Sequence, residues 1–153
     1  MKNRTIRKTI TINAPKEQVW EAMMQDKYYQ EWTAPFSEGS KVETDWELGS
    51  KAVFTDKSGS GIVGRVVEKE PYKTVTVEFE GMVREGKEDY ESEEARQVKG
   101  SRESYVLTEE NGSTRLDTSS EMGEEYYEQM SQAWDKALQK LKQLAEGLAE
   151  KTV

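Results

Sequence analysis

Histidine and cysteine are both missing from the 153-residue chain. Without histidine, Ser-His-Asp and Cys-His catalysis are excluded, and so are the common zinc sites. Any acid–base chemistry would fall to carboxylates, tyrosine or lysine. Without cysteine there is no disulfide framework and no redox thiol, which fits a reducing compartment and gives the expectation of a cytoplasmic protein. No apolar run approaches the ~18 residues needed to cross a bilayer. The opening MKNRTIRKTI carries Lys2 and Arg4 but lacks the apolar stretch of a signal peptide, so no membrane partner is expected. Positive charge is also in short supply. The net charge is −8, the wrong sign of field for a nucleic-acid partner.

What the chain does contain is charge and aromatic rings. Apolar and charged side chains each make up 34% of it, a thin apolar supply that by itself would fit disorder. Four Trp, seven Tyr and three Phe argue otherwise, because these rings fall within periodic segments. A single folded domain over 1–153 is expected, long enough to bury roughly 70% of the surface its unfolded form exposes.

Residues 5–12, TIRKTITI, alternate with period two, placing Ile6, Ile10 and Ile12 on one face of a half-buried strand. Asn13-Ala14-Pro15 follows, and proline at a first helical position starts a helix there without losing a needed hydrogen bond. Val19, Trp20 and Met23 form one apolar stripe of that helix. A second short helix, about Asp26 to Glu31, brings Tyr28, Tyr29 and Trp32 close behind; with Trp20 these rings are expected to help roof a cavity. Strands are then expected near Lys41–Asp45, Lys51–Thr55, Ile62–Glu68 and Lys73–Glu80, separated by Gly-, Ser- and Pro-containing breaks. In VTVEFE, Val75, Val77 and Phe79 alternate with Thr76, Glu78 and Glu80, which marks a sheet with one wet side and therefore antiparallel pairing.

Asn111-Gly112 is the sharpest local signal, since both residues tolerate the positive φ of a type I′ hairpin turn. Counting outward pairs Leu107 with Leu116 and Tyr105 with Thr118 on one face, and Val106 with Asp117 and Thr108 with Arg115 on the other. From about Glu124 to Leu148 the residues Tyr127, Met130, Trp134, Ala137, Leu141, Leu144 and Leu148 recur every three or four positions, with Glu124 and Glu125 near the positive end of the helix. This stripe is too broad and aromatic for a two-stranded coiled coil, so the helix is expected to lie across its own sheet. Between Met82 and Gly100 the segment MVREGKEDYESEEARQVKG is expected to be an exposed loop with a turn of helix after Ser92. Its acids Asp89, Glu91, Glu93 and Glu94 lack the calcium-loop pattern and are read as a solvated charge run; no metal and no cofactor are expected.

The residues INAPKEQVWEAM, Trp32 beyond them, DWELGSKAVF, GRVVEKEP and the closing amphipathic helix resemble the START-like (SRPBCC) superfamily. Within it they are most similar to homologues of the activator of the heat-shock protein 90 ATPase, and GKEDYESEEAR resembles bacterial members of that group. The resemblance runs from about Thr5 to Leu148. It implies an α+β helix-grip fold: a curved, antiparallel, seven-stranded sheet around the long C-terminal helix, two short helices between the first two strands, and a pocket inside. Two departures stand out. Ser50 replaces a glycine common in the family, and Ala52 takes an inward position often held by a bulkier residue, leaving extra room.

A pocket also follows from shape and supply. A curved sheet and a straight helix touch along a line, and seven Leu, four Ile and three Phe offer few large side chains to fill the space beside it. Trp, Tyr and Met have polar tips or flexible stems suited to ligand contact. A dry void of ~300 Å³ would cost about 7 kcal/mol, close to a whole domain's stability, so the space must hold water or a guest. Tyr105, Thr118 and Ser120 are expected to satisfy such waters. The candidate ligand-binding residues are Trp32, Phe36, Trp46, Phe54, Phe79, Tyr105, Thr118, Tyr127, Met130 and Trp134.

Three functional classes follow. The first is non-catalytic binding of a small, mostly hydrophobic molecule, lipid-like or aromatic. The second, implied by the resemblance alone, is a chaperone-associated module, although eukaryotic activators carry a separate N-terminal domain and this chain is expected to begin at the START-like strand. The third is a polyketide cyclase-like enzyme, for which Glu103, two residues from Tyr105 on one strand, would supply the acid or base. Glu103 is expected instead at the sheet's end, in water, and no catalytic residue is assigned. Oligomeric state is not legible.

Overall fold

In a computed structural model of the protein, residues 3–151 are described; the outermost two residues at each end of the expected 1–153 domain lie outside them. Strand β1 (Asn3–Ile12) leads into α1 (Lys16–Met24) and α2 (Asp26–Trp32). Strands β2 (Lys41–Glu43), β3 (Lys51–Thr55), β4 (Gly61–Glu70), β5 (Thr74–Arg84) and β6 (Lys87–Asp89) follow, then α3 (Glu93–Val98), β7 (Arg102–Glu110) and β8 (Ser113–Gly123). A turn of 3₁₀ helix over 124–126 leads into α4 (Tyr127–Lys151).

The sheet is antiparallel and runs β1-β8-β7-β5-β4-β3-β2, with β6 attached to β5 as an eighth strand off that path. Seven strands therefore form the continuous order, as expected, and the hairpin to β6 is the addition. The two edge strands are consecutive in the chain, so α1 and α2 carry the chain from one edge to the other. The helical layer thus follows from connectivity.

On β1, Ile6 and Ile12 are buried while Arg7, Thr9 and Thr11 are exposed, as period two requires. Pro15 stands one position earlier than expected, as the N-cap of α1; its carbonyl accepts hydrogen bonds from the Gln18 and Val19 amides at 3.1 and 3.2 Å. The β7–β8 hairpin has the expected register throughout, including Leu107 with Leu116 and Tyr105 with Thr118. Its turn residues Asn111 and Gly112 have φ of 54° and 82°, both in the left-handed region that the type I′ turn needs.

Between β4 and β5 the pairing shifts register at Val63/Gly64 and again at Val66/Glu68. Such bulges bend a strand and increase its twist, and they give this sheet its concave face. At Gly64 a Cβ atom would sit 2.6 Å from the carbonyl oxygen of Glu78, so the first bend requires glycine.

The expected loop over 82–100 is largely ordered. Strand β5 runs on to Arg84, four residues past the expected end, pairs with β6, and is followed by α3. The bulge breaks the period-two pattern that would have revealed this: Phe79 before it and Met82 after it both face the interior. The Asp89 carboxylate orders the connection by accepting from the Glu91 and Ser92 amides at 3.1 Å and from Arg84 Nε at 3.0 Å. These bonds hold its pKa well below the usual carboxylate range, with the Ser92 hydroxyl the largest influence. Glu91 and Glu93 remain exposed as expected, while Glu94 pairs with Arg84.

Helix α4 lies across the concave face and against α1 and α2. Ala137, Leu138, Leu141 and Ala145 are buried there with Ile6, Ile12, Val19, Met23 and Leu116. From Trp134 onward α4 is thus packed against the core. Nearer its N-terminus, Met130 and one side of Trp134 border a hollow instead.

Candidate functional site: an aromatic-walled cavity with an acidic end

Beneath the first turns of α4 lies a cavity of about 690 Å³. Its roof is set by α2. The Trp32 indole Nε1 donates to the Met23 carbonyl at 3.3 Å, and the Thr33 hydroxyl donates to the Tyr29 carbonyl. These bonds fix Tyr29 and Trp32 at the helix's last turn, pointing inward. Trp32 meets Tyr29 at 5.4 Å and Tyr105 at 6.3 Å, both edge-on, and lies 6.5 Å from Trp134. Phe36 meets Trp134 at 5.0 Å, and Tyr105 lies 6.0 Å from Trp134. On the sheet side Phe54 and Phe79 form another edge-to-face pair at 6.2 Å. Rings in such pairs hold each other in place, so this wall is preformed.

Seven of the ten candidate residues border the cavity: Trp32, Phe36, Phe54, Phe79, Tyr105, Met130 and Trp134. Three do not. Trp46, in the left-handed region at a φ of 59°, meets Phe54 edge-on at 6.3 Å and does not reach the hollow. Thr118 is buried on the inner face beside Tyr105 but contributes no wall; Ser120, one pleat further on, does. Tyr127 shares the apolar stripe of α4 but lies a turn before Met130, under the Arg4 guanidinium, which sits 3.7 Å from the ring centroid. Of the four rings expected to roof the cavity, Tyr29 and Trp32 do so. Trp20 packs instead against Tyr72, and Tyr28 lies beneath the Lys27 ammonium. Ala52 is fully buried in the core but does not reach the wall, so its small size does not widen the hollow.

Glu103 is the main correction. It was expected in water at the sheet's end, yet it lies opposite Ser120 in the β7–β8 ladder and faces the cavity. The surface it retains opens onto that hollow. The Tyr105 hydroxyl donates to its Oε2 at 3.1 Å, and Ser120 also hydrogen-bonds the carboxyl. Burial pushes the carboxyl up to about 7, against the pull of those two hydrogen bonds. Burial also raises Tyr105 and Tyr29 far above an ordinary phenol, with Glu103 reinforcing both. Sequence reasoning had the signal, a Glu–Tyr pair on the inner face, but not the end of β5 and helix α3, which close over it. Another liner missed was Met82, hidden in the supposed loop. Trp134 Nε1 is buried without an acceptor among the protein groups.

A second hollow of about 510 Å³ lies between α2 and α4. Gln30, Glu31, Ala34, Lys140, Gln143 and Leu144 border it, and all but Leu144 are exposed. It has no aromatic wall and no buried polar group.

A curved antiparallel sheet gripping a C-terminal helix, with an aromatic hollow between them, defines a START-like protein of helix-grip fold. The chain belongs to the family described as Activator of Hsp90 ATPase homolog 1-like protein, which matches residues 13–146. Among solved structures it is similar to the protein MLL2253 from Mesorhizobium loti, with a TM-score of 0.71 at 20% identity over 92% of this chain and 96% of that one. It is also similar to the Aha1 dimer from Colwellia psychrerythraea, with a TM-score of 0.70 at 18% identity over 94% and 96%. CalU16 from Micromonospora echinospora gives 0.67 at 20% identity over 95% of this chain and 76% of that one. At these identities the likeness is one of fold. No curated protein matches the chain. No helix among the described residues is long and apolar enough to cross a membrane.

Proposed function

We propose that this protein is a non-catalytic binder of a small, mostly hydrophobic molecule held between the sheet and the N-terminal half of α4. The cavity itself carries this reading. At about 690 Å³ it falls within the ~300–1,000 Å³ of ligand sites. The cavity opens to solvent between polar residues such as Ser37, Ser60 and Gln97, so water fills it when no guest is bound. A guest that displaces this water from the aromatic wall gains the burial of both apolar surfaces. The ligand-contacting residues under this reading are Tyr29, Trp32, Phe36, Phe79, Met130 and Trp134.

Native mass spectrometry of freshly purified protein tests this directly, followed by melting curves against a library of lipids and aromatic molecules. A co-purified organic mass or a saturable rise in melting temperature is expected. A bare protein mass together with flat melting curves would refute the reading.

One observation favours a second reading. A buried carboxyl titrating near neutrality beside a tyrosine suits general acid–base work, as a cyclase-like reaction would need. If that reading holds, Glu103→Gln should abolish turnover of a bound polyketide-like substrate while leaving its binding intact. The family's description brings a chaperone link too; a cognate Hsp90 ATPase that speeds up at saturating protein would support it, and an unchanged rate would remove it.

A further inference from the structure

The charged groups around the cavity all have one sign. Asp56, Glu94, Glu103, Glu121 and Glu125 border it, and no lysine or arginine does among the described residues. This goes beyond the chain's overall acidity, since 22 basic residues face 30 acidic ones in the whole sequence. The bases beside these acids are already paired. Arg102, adjacent to Glu103 in the chain, turns to the outer face and pairs with Glu78 at 3.0 Å; Arg84 pairs with Asp89 and Glu94.

Glu103 is the innermost of these acids. The groups facing it are the hydroxyls of Tyr29, Tyr105 and Ser120, with Glu121 one position beyond Ser120. Tyr105 and Ser120 already donate to it, so the protein has supplied hydrogen bonds that suit an ionised acceptor. It has supplied no counter-charge. A carboxylate in that position is costly unless something cationic pairs with it. The Trp32, Phe36 and Trp134 rings nearby present faces and edges to which an ammonium and an apolar body are both attracted.

Resting on the ligand-binding reading above, we infer that the natural guest is an apolar amine, its ammonium received by the Glu103 carboxylate and its hydrocarbon body held by the aromatic wall. The acids at the mouth raise the local concentration of such a cation. An apolar acid would meet a border of carboxylates in which only Glu94 has an ion-pair partner among the described residues, and an alcohol would leave the charge on Glu103 uncompensated.

The test uses matched triads on naphthyl and biphenyl rings, namely the arylmethylamine, the arylmethanol and the arylcarboxylate, titrated calorimetrically into the wild-type protein. The amine should bind about tenfold to a hundredfold tighter than the alcohol, as a charged hydrogen bond requires, and the carboxylate weakest. Glu103→Gln should erase the amine's advantage while the alcohol's affinity changes little. A second readout needs no variant. Amine affinity should rise about tenfold per pH unit below about 7 and level off above it, because the carboxyl must lose its proton to receive the ammonium.

If the alcohol matches the amine, or the carboxylate binds best, the amine inference is overturned while the cavity keeps its role as a binding site. An amine affinity that stays flat from pH 5 to 8 overturns it as well. If no triad member binds but native mass spectrometry shows a non-basic guest, the inference again falls alone. If nothing binds and nothing co-purifies, both readings fall together.

Discussion

Glu103 has a consequence for stability that is separate from any ligand. Its carboxyl titrates at about 7 in the fold and near 4.5 when exposed. Between those values the folded chain binds more protons than the unfolded one, so stability falls as pH rises. The full effect is present above pH 7 and amounts to at most about 3 kcal/mol. Water within the cavity reduces it. Glu103→Gln cannot ionise and should therefore gain stability over the wild type at pH 8 and show little difference at pH 4. Urea midpoints at the two pH values measure this. A variant less stable than the wild type at pH 8 would show that the carboxylate has a hidden partner. The opposite sign applies to Asp89, whose lowered pKa stabilises the fold above the ordinary carboxylate range and ceases to do so as pH falls. Neither role was legible from residue type, since both acids sit in strongly polar stretches. What separates them is position: one faces a hollow, the other accepts bonds from its own backbone.

Along α4 the same apolar stripe does two different jobs. Leu141, fully buried, packs among Ile6, Ile12 and Leu116, whereas Met130, half-buried, borders the hollow. Leu141→Ala should cost about 2–5 kcal/mol by chemical denaturation, the range for a truncated core leucine. Met130→Ala removes a side chain already facing unfilled space and should cost less than half as much. It should, however, weaken ligand binding, which Leu141→Ala does only through loss of fold. Equal costs would mean that the N-terminal half of α4 is packed solid. In the sequence these two positions look alike, because periodicity reports which side of a helix is apolar and not what that side meets. The same limit explains β5. Its first half alternates cleanly through Val75, Val77 and Phe79, but the register shift opposite Gly64 inverts the parity, and the rest of the strand reads as loop. The β7–β8 hairpin carries no such shift, and its register was recoverable to the residue from Asn111-Gly112 alone.

At the scale of the molecule, the cavity is a product of topology. Its acidic border comes from residues 56, 94, 103, 121 and 125, supplied by the end of β3, by α3, by the β7–β8 hairpin and by the turn before α4. No local pattern announces such a site. Composition announced the need for it, since a chain with seven Leu and four Ile cannot fill the space between a bent sheet and a straight helix. Filling that space should stabilise the whole fold. A guest that binds only the folded chain contributes RT ln(1 + [L]/Kd), about 2.7 kcal/mol at a hundredfold excess over Kd. For a chain of this size that corresponds to a rise in melting temperature of roughly 5–10 °C. The rise should grow logarithmically with ligand, without a plateau, as long as the guest stays soluble. For an amine it should shrink as salt is raised, because the field of the acidic mouth is screened beyond about 10 Å at 0.1 M, while for an alcohol it should not. Scanning calorimetry at two ionic strengths separates the two. A salt-independent shift for the amine would place the charged contact deep in the cavity at Glu103 alone, and equal salt sensitivity for amine and alcohol would remove charge from the account of binding.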